Sequence, residues 1–488
     1  MIFKERFAKI NNLILYVQYP FLWIRSSFQQ FGRWIATLLD DNQQNREKNT
    51  IAVLDGVRGV AVLMVIVFHI NRMTGDNLWS RSANPLASSI STAGGTGVTL
   101  FFVLSGFLLF MPFAKALLFK STWPLARVFY IRRVLRIIPG YYVSLFLIIL
   151  FMHPEYLHSD HLRDLVLFLT LFMDSSRATF RQINGPFWTL ATEWQFYMLL
   201  PLIALGIALL VRRTPIRWRL PVVTFCLLGV IAWGLIVRYW GLYYVNHPTQ
   251  TFLVPRSVLN VILFFSFGIT GKYTEDFAIG MLISVCFFYS QHPSTDSKFA
   301  RGWKRLSPWL WGGGILVLVF GAMWHFNSGT HEWSFLNGLL PMYNWLSEML
   351  ISIGYGACIA AILYGTTGLK RLFEWPLLRW VGLISYSLYM WHLPLLILFA
   401  TRILPLFHSL NQYTTYSLHW LWALLVIFPF AFLSYLMVEK PWMKLGDQWR
   451  RVIEKNHREE LKKREAQLSR QQALAEQEAA LPQEAITK

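Results

Sequence analysis

The sequence predicts an all-α membrane protein: about ten transmembrane helices around a polar cavity, with N- and C-terminal helices on the cytoplasmic side. Three observations predict it. Hydrophobic residues make up 55% of the 488, and the mean hydropathy is +0.40; a soluble globular chain runs at about 45–50% apolar. The excess is gathered into runs of about 17–24 residues, the length that crosses ~30 Å of hydrocarbon. The basic residues, which give a net charge of +19 and a pI of about 9.9, lie between those runs. Basic loops on one side are how membrane proteins fix their orientation.

That placement of charge argues against nucleic acid as a partner and for membrane lipids. The 22 Trp residues point the same way, since many stand near run ends (Trp123, Trp188, Trp303, Trp345, Trp380, Trp442), where amphipathic rings favour the interface. Cys226, Cys286 and Cys358 all lie inside apolar runs, so no disulfide framework or zinc spacing is expected. No cleavable signal peptide is expected either: Gln18 and Pro20 break the apolar stretch from Leu13 to Ile24, and no small-residue cleavage site follows.

Residues 1–50 are basic and amphipathic and read as an interfacial cytoplasmic segment. The first span runs from Ile51 to Ile70 and the second from Gly97 to Phe119; a dense basic loop with Lys120, Arg127, Arg132, Arg133 and Arg136 then precedes a third span, Ile137 to Met152. The run Leu165 to Met173 is short for a crossing. Reading 153–187 as one outer loop with a partly embedded segment keeps Arg212, Arg213, Arg217 and Arg219 inside. Spans follow at 188–211 and 219–240. The loop 241–255 is then outside, so 256–290 makes one net crossing, broken or re-entrant at Gly268, Gly271 and Lys272. Lys298, Arg301, Lys304 and Arg305 return inside, and spans at 308–325, 345–366, 381–403 and 417–438 complete a ten-span domain over 51–443 with both termini cytoplasmic. Residues 444–488 form a charged cytoplasmic helical tail; a solvated helix and an oligomerising one, as in a homo-oligomer, both stay open.

Ionisable groups inside spans carry the functional signal, because each costs about 2.5–3.5 kcal/mol at the bilayer centre on insertion scales. Arg58 and His69 stand eleven residues apart in the first span. At ~100° per residue they project from one face, about 16 Å apart along the axis. A snorkelling Arg and an interfacial His are the bland alternative; a shared face makes them address one cavity, where His69 suits proton transfer near neutral pH. Asp55 can pair with Arg58 at i,i+3. Glu193, one turn into the fourth span, can approach His69 and orient it, or rest among interfacial aromatics. Ser385, Tyr386, Tyr389 and His392 share the ninth span, either as bundle packing or as cavity lining. Arg132, Arg133 and Arg136 fix topology or clamp the phosphates of a nucleotide-bearing donor. His153, His158 and His161 lack a firm ligand pattern, so no metal site is expected.

Several ordered motifs resemble the acyltransferase-3 family of integral membrane proteins. They are the Arg58-x10-His69 pair inside DGVRGVAVLMVIVFH, FFVLSGFLL at 101–109, RRVLRIIP at 132–139, WTLATEWQFY at 188–197, SYSLYMWHLPL at 385–395 and VEKPW at 438–442. The family commonly reads Trp-Ser-Leu where this chain has Trp188, Thr189 and Leu190, a hydroxyl for a hydroxyl. The resemblance implies an acyl donor, usually acetyl-CoA, taken from the cytoplasm, with no permanently bound cofactor. It implies an acceptor hydroxyl on an envelope or exported glycan, with His69 and Arg58 needed for activity and Glu193 nearby. His69 would serve as general base or transient acyl carrier. Some members of the family carry a fused extracytoplasmic esterase-like domain, and a chain ending in a helical tail would complete transfer without one in cis.

Two other classes fit the composition. Intramembrane Arg, His and Glu also suit a proton-coupled transporter or flippase of a glycan or glycolipid, although no internal repeat is apparent. A sensory or scaffolding membrane protein would use the tail as its partner-binding element. The sequence names neither the acceptor nor the length of the acyl group.

Overall fold

The computed structural model describes residues 52–75, 84–119, 121–292, 297–407 and 410–479. The interfacial segment expected at 1–50 and the end of the tail beyond Ala479 lie outside them. The described residues are mostly helical and contain no strand. In chain order it comprises α1 (Val53–Met73), α2 (Pro85–Thr92), α3 (Gly97–Phe119), α4 (Ala126–Met152), α5 (Leu162–Leu169), α6 (Phe187–Val211), α7 (Ile216–Asn246), α8 (Arg256–Ser266) and α9 (Thr274–Gln291). There follow α10 (Ser297–Thr330), α11 (Leu340–Tyr364), α12 (Thr367–Phe373), α13 (Pro376–Leu383), α14 (Ser385–Leu398), α15 (Gln412–Trp422), α16 (Phe428–Ser434) and α17 (Lys440–Ala479).

Among the described residues, nine helical stretches are long and apolar enough to cross a membrane. The tenth expected crossing corresponds to α8 and α9. The chain breaks between them at Phe267–Tyr273, where Gly268 (φ +70°), Gly271 (φ +100°) and Tyr273 (φ +54°) take left-handed backbone, a conformation glycine adopts without a steric penalty. The 18 residues of α9 reach about 27 Å. Acidic Glu275 and Asp276 in its first turn set it apart from the nine.

One expectation is corrected. Arg127, Arg132, Arg133 and Arg136 lie not in a loop but on the first three turns of α4. Leu125 is extended and the helix opens at Ala126 (Lys120 is outside the described residues). A run of arginines has good intrinsic helix propensity, so polarity alone marked the end of the span wrongly. The tail is also anchored: the start of α17 packs on α4, and Asp447 meets Arg132 at 3.7 Å. Further along, Leu461, Leu468 and Leu474 are exposed.

Large apolar side chains such as Phe151, Leu210, Phe225, Leu425 and Met437 point outward, an arrangement that water penalises and hydrocarbon accepts. Inside, α3 and α9 form one of the most extensive joints. It exists because both helices offer glycine at the crossing. A Cβ on Gly106 would collide with the Phe277 carbonyl, and one on Gly280 with the Val103 carbonyl. Small residues at such crossings let backbones approach closely, the main route to helix association in lipid. Gly106→Leu is therefore expected to separate α3 from α9 and destabilise the fold by about 3 kcal/mol, read as a lowered melting temperature of the purified protein in detergent.

Candidate active site

α1 carries both ends of the site. Arg58 and His69 are each half-buried on its inward face. The shared helical face is as the spacing predicts, but the groups between the two come from other helices.

At the His69 end, α14 packs across α1 and delivers His392. The two rings meet edge to face with centroids 5.0 Å apart, and His392 Nε2 lies 3.3 Å from His69 Nδ1. Backbone carbonyls fix the tautomers. His69 Nδ1 is 2.9 Å from the Val65 carbonyl, and His392 Nδ1 is 3.0 Å from the Leu388 carbonyl. A carbonyl only accepts, so both Nδ1 atoms carry the proton. His392 Nε2 is then an acceptor facing the His69 Nδ1–H, and His69 Nε2 keeps a lone pair for other chemistry.

One turn before His392, Tyr389 and Thr189 of α6 share a hydrogen bond at 2.6 Å. The segment before α6 is pinned to the same helix: Asn184 Nδ2 donates to the Met390 carbonyl at 3.0 Å and the Tyr389 hydroxyl to the Pro186 carbonyl at 3.4 Å. Below this pair sits Glu193. Ser105 Oγ of α3 donates to its carboxylate at 2.5 Å, and the Tyr197 hydroxyl donates to the same oxygen. Glu193 was expected to orient His69. Among the hydrogen bonds of the described residues none joins them, because Ser105 and Tyr197 meet the carboxylate and His392 occupies the place beside His69 Nδ1.

At the other end, the charged groups facing Arg58 are Arg136, Asp55 and Glu193, with the Tyr197 phenol beside them. Arg133 reaches the same cluster, its guanidinium 5.9 Å from the Tyr197 ring centre, and its buried Nε has no hydrogen-bond partner. Arg132 does not join them. It is exposed on the face towards α17 and meets Asp447, since one residue along a helix turns the side chain by about 100°. Of the three arginines, Arg133 and Arg136 lie on the side of Arg58, and Arg132 does not. Ser385 is buried at the start of α14, and the Tyr386 hydroxyl donates to the Ile137 carbonyl at 2.7 Å, a joint between α14 and α4. Of the four α14 residues singled out by sequence, Tyr389 and His392 stand at the histidine end.

Several groups were missed by sequence. Ser105 and Tyr197 lie within recognised motifs but carry no charge, so they give no signal of an ionised group inside a span. Ser387 donates to Glu439, which the wide π turn Tyr435–Glu439 buries at the end of its span; π turns recur at functional sites. Arg181, in left-handed backbone at φ +61°, stacks over Phe180 at 4.9 Å and Trp188 at 5.7 Å, and its charge reaches His69 and Tyr389. A non-glycine residue held at positive φ marks local strain, which sequence does not reveal. His153 and His161 rest on Glu155 (3.0 Å) and Asp164 (3.4 Å).

Two cavities lie elsewhere. One of about 290 Å³ is apolar and runs between α1, α3, α10 and α11, lined by Val57, Met64, Ile315 and Ile359 among others. Val57 and Met64 lie about 120° around α1 from Arg58 and His69. The other, about 320 Å³, lies beside Arg177, Arg256 and Asn260.

The acyltransferase domain of the acyltransferase-3 type matches residues 51–438. The peptidoglycan O-acetyltransferase OatA of Listeria monocytogenes is 26% identical over 363 residues, covering 71% of this chain and 49% of that protein. A Staphylococcus aureus protein with a provisional O-acetyltransferase name is 25% identical over 411 residues, 80% of this chain and 57% of its own. A Bacillus subtilis protein provisionally named a peptidoglycan O-acetyltransferase is 23% identical over 407 residues, 80% of this chain and 54% of its own. The chain thus spans about half the length of these curated relatives. No solved structure matches it. With its Arg58-x10-His69 helix and a family match over residues 51–438, the chain belongs to the acyltransferase-3 family of membrane acyltransferases.

Proposed function

We propose that this protein is a membrane O-acetyltransferase that takes the acetyl group of cytoplasmic acetyl-CoA and places it on a hydroxyl of a cell-wall glycan, as the peptidoglycan O-acetyltransferase names of its relatives suggest. One observation carries the reading. Polar groups stand inside the bundle between the two ends of α1: Ser105 and Tyr197 on Glu193, Thr189 on Tyr389, and His392 on His69. Such groups inside hydrocarbon are costly, and two ends with different chemistry suit a reaction whose donor and acceptor sit on opposite faces.

At the basic end, Arg133 and Arg136 hold the donor's phosphates, the free Nε of buried Arg133 supplying one donor. Arginine favours this role through its planar fork of N–H groups. This end is cytoplasmic, as are both termini. At the other end the acceptor hydroxyl meets His69 Nε2. The base removes the hydroxyl proton, the oxygen attacks the thioester carbon, and the C–S bond breaks. The proton held by the imidazole ultimately goes to the CoA thiolate, so the products are the O-acetyl sugar and CoA–SH. As His69 gains its proton, its Nδ1–H becomes more acidic and strengthens its bond to His392 Nε2, which stabilises the imidazolium. Arg58 offsets negative charge on the donor.

Membrane vesicles containing the protein and given labelled acetyl-CoA are expected to place label on glycan. Glycan movement without label transfer would indicate a carrier instead. His392→Leu, which removes the acceptor behind His69, is expected to lower kcat by on the order of 10²-fold with the KM for acetyl-CoA unchanged. A merely structural role would lower the amount of protein in the membrane in place of kcat.

A further inference from the structure

A second buried cluster of charge lies on the other side of α3. Glu275 and Asp276 enter from the first turn of α9, 1% and 0% exposed, and Arg238 enters from α7 at 4%. Glu348 and Ser352 come from α11, Thr99 from α3 and Tyr273 from the break before α9. Arg238 is paired with Glu275, although its Nη2 makes no hydrogen bond. Its Nε donates to Glu275 at 2.5 Å, its Nη1 to the Thr270 carbonyl at 3.1 Å, and the Tyr273 ring centre lies 4.6 Å from its guanidinium. Glu348 accepts from Thr99 Oγ1 at 3.0 Å.

Asp276 has neither partner. Both of its carboxylate oxygens are buried, the polar group close by is the hydroxyl of fully buried Ser352, and neither side chain has any other hydrogen-bond partner. The charges facing Asp276 are Glu275, Glu348 and the single cation Arg238, while Tyr343 of α11 and His325 of α10 face Glu348. With all three carboxylates ionised, one guanidinium leaves the cluster with a net negative charge in a low-dielectric interior. A carboxylate in that setting is costly unless paired, and the positive end of α9 is a weak compensation, its Asp276 N–H already bonded to the Tyr273 carbonyl.

We propose that Asp276, with Ser352, Glu348 and the Arg238–Glu275 pair around it, is a proton-binding site separate from the acyl-transfer machinery. The carboxylate takes a proton from hydronium, leaving a neutral acid and water. The new O–H can donate to Ser352 Oγ or to a Glu348 oxygen, and the neutral acid no longer needs a counter-charge. A metal ion fits less well: among the described residues no group of three His, Cys, Asp or Glu side chains is arranged to hold one. With the proton bound, α9 seats on α3, α7 and α11. When the proton leaves, an unbalanced charge arises near Tyr273, whose ring packs on Trp188 at 5.5 Å, the residue before Thr189. The site thereby makes the packing of α9 sensitive to pH and reaches the outer end of the acyl site through aromatic contact.

Infrared spectroscopy of the full chain in lipid vesicles at neutral pH tests this without requiring activity. The expected result is a protonated-carboxyl C=O stretch that loses one carboxyl's intensity in Asp276→Asn and keeps it in Glu348→Gln. Because Asn copies the neutral acid, Asp276→Asn is expected to reach the wild-type level in the membrane. An unchanged spectrum in Asp276→Asn would overturn the proposal, as would failure of that variant to accumulate, which would mean that the negative charge is needed. Loss of the wild-type band on replacing choline with sodium at constant pH would assign the site to a metal cation and equally overturn it.

Discussion

An unpaired charge or polar group in hydrocarbon carries a penalty of several kcal/mol, and that penalty organises this bundle. Its consequence is visible at each level. Outward faces are apolar, as Phe225 and Met437 illustrate. Inward polar groups are strung together so that each finds another: Ser105 and Tyr197 on Glu193, Thr189 on Tyr389, His392 on His69. The helices approach closely enough to make these contacts because glycines stand at the crossings. Those on α1 and α13 are an example: a Cβ on Gly59 would meet the Leu378 carbonyl, and one on Gly382 the Asp55 carbonyl. That joint holds α14, which follows directly, against the histidine end of α1.

The same constraint explains how much could be read from the sequence. Arg58 and His69 were legible because helical period is a local property, and an eleven-residue spacing places two groups on one face whatever surrounds them. The break in the stretch 256–290 was legible at Gly268 and Gly271 for the same reason. The partner of His69 was not. His392 is 323 residues away, and only packing of α14 on α1 brings it there; sequence gave the pair Tyr389–His392 but not what it faces. Glu193 was singled out as a carboxylate inside a span that could orient His69, yet its partners in the fold, Ser105 and Tyr197, are uncharged. Arg132 and Arg133 look alike in sequence, and the turn of about 100° between them sends one to Asp447 and the other to Tyr197. Arg238, Glu275, Asp276 and Glu348 satisfy the criterion of charge inside a span and were overlooked because they come from three separate helices.

Family membership and geometry complement one another here. The family match places an acyltransferase domain over residues 51–438; in the proposed reaction, the polar groups inside the bundle would let a donor on one face and an acceptor on the other meet one imidazole. The tautomers set by the Val65 and Leu388 carbonyls are central to that proposal, because they would leave His69 Nε2 unprotonated and give the imidazolium of the proposed reaction an acceptor at His392.

The most direct measurement of that account is acetyl transfer by His69→Ala in vesicles holding the variant at the wild-type level. The account predicts that transfer from acetyl-CoA to glycan disappears while the protein remains folded in the membrane. Transfer at the wild-type rate would contradict it, since no other group of the site could then be standing behind an essential imidazole.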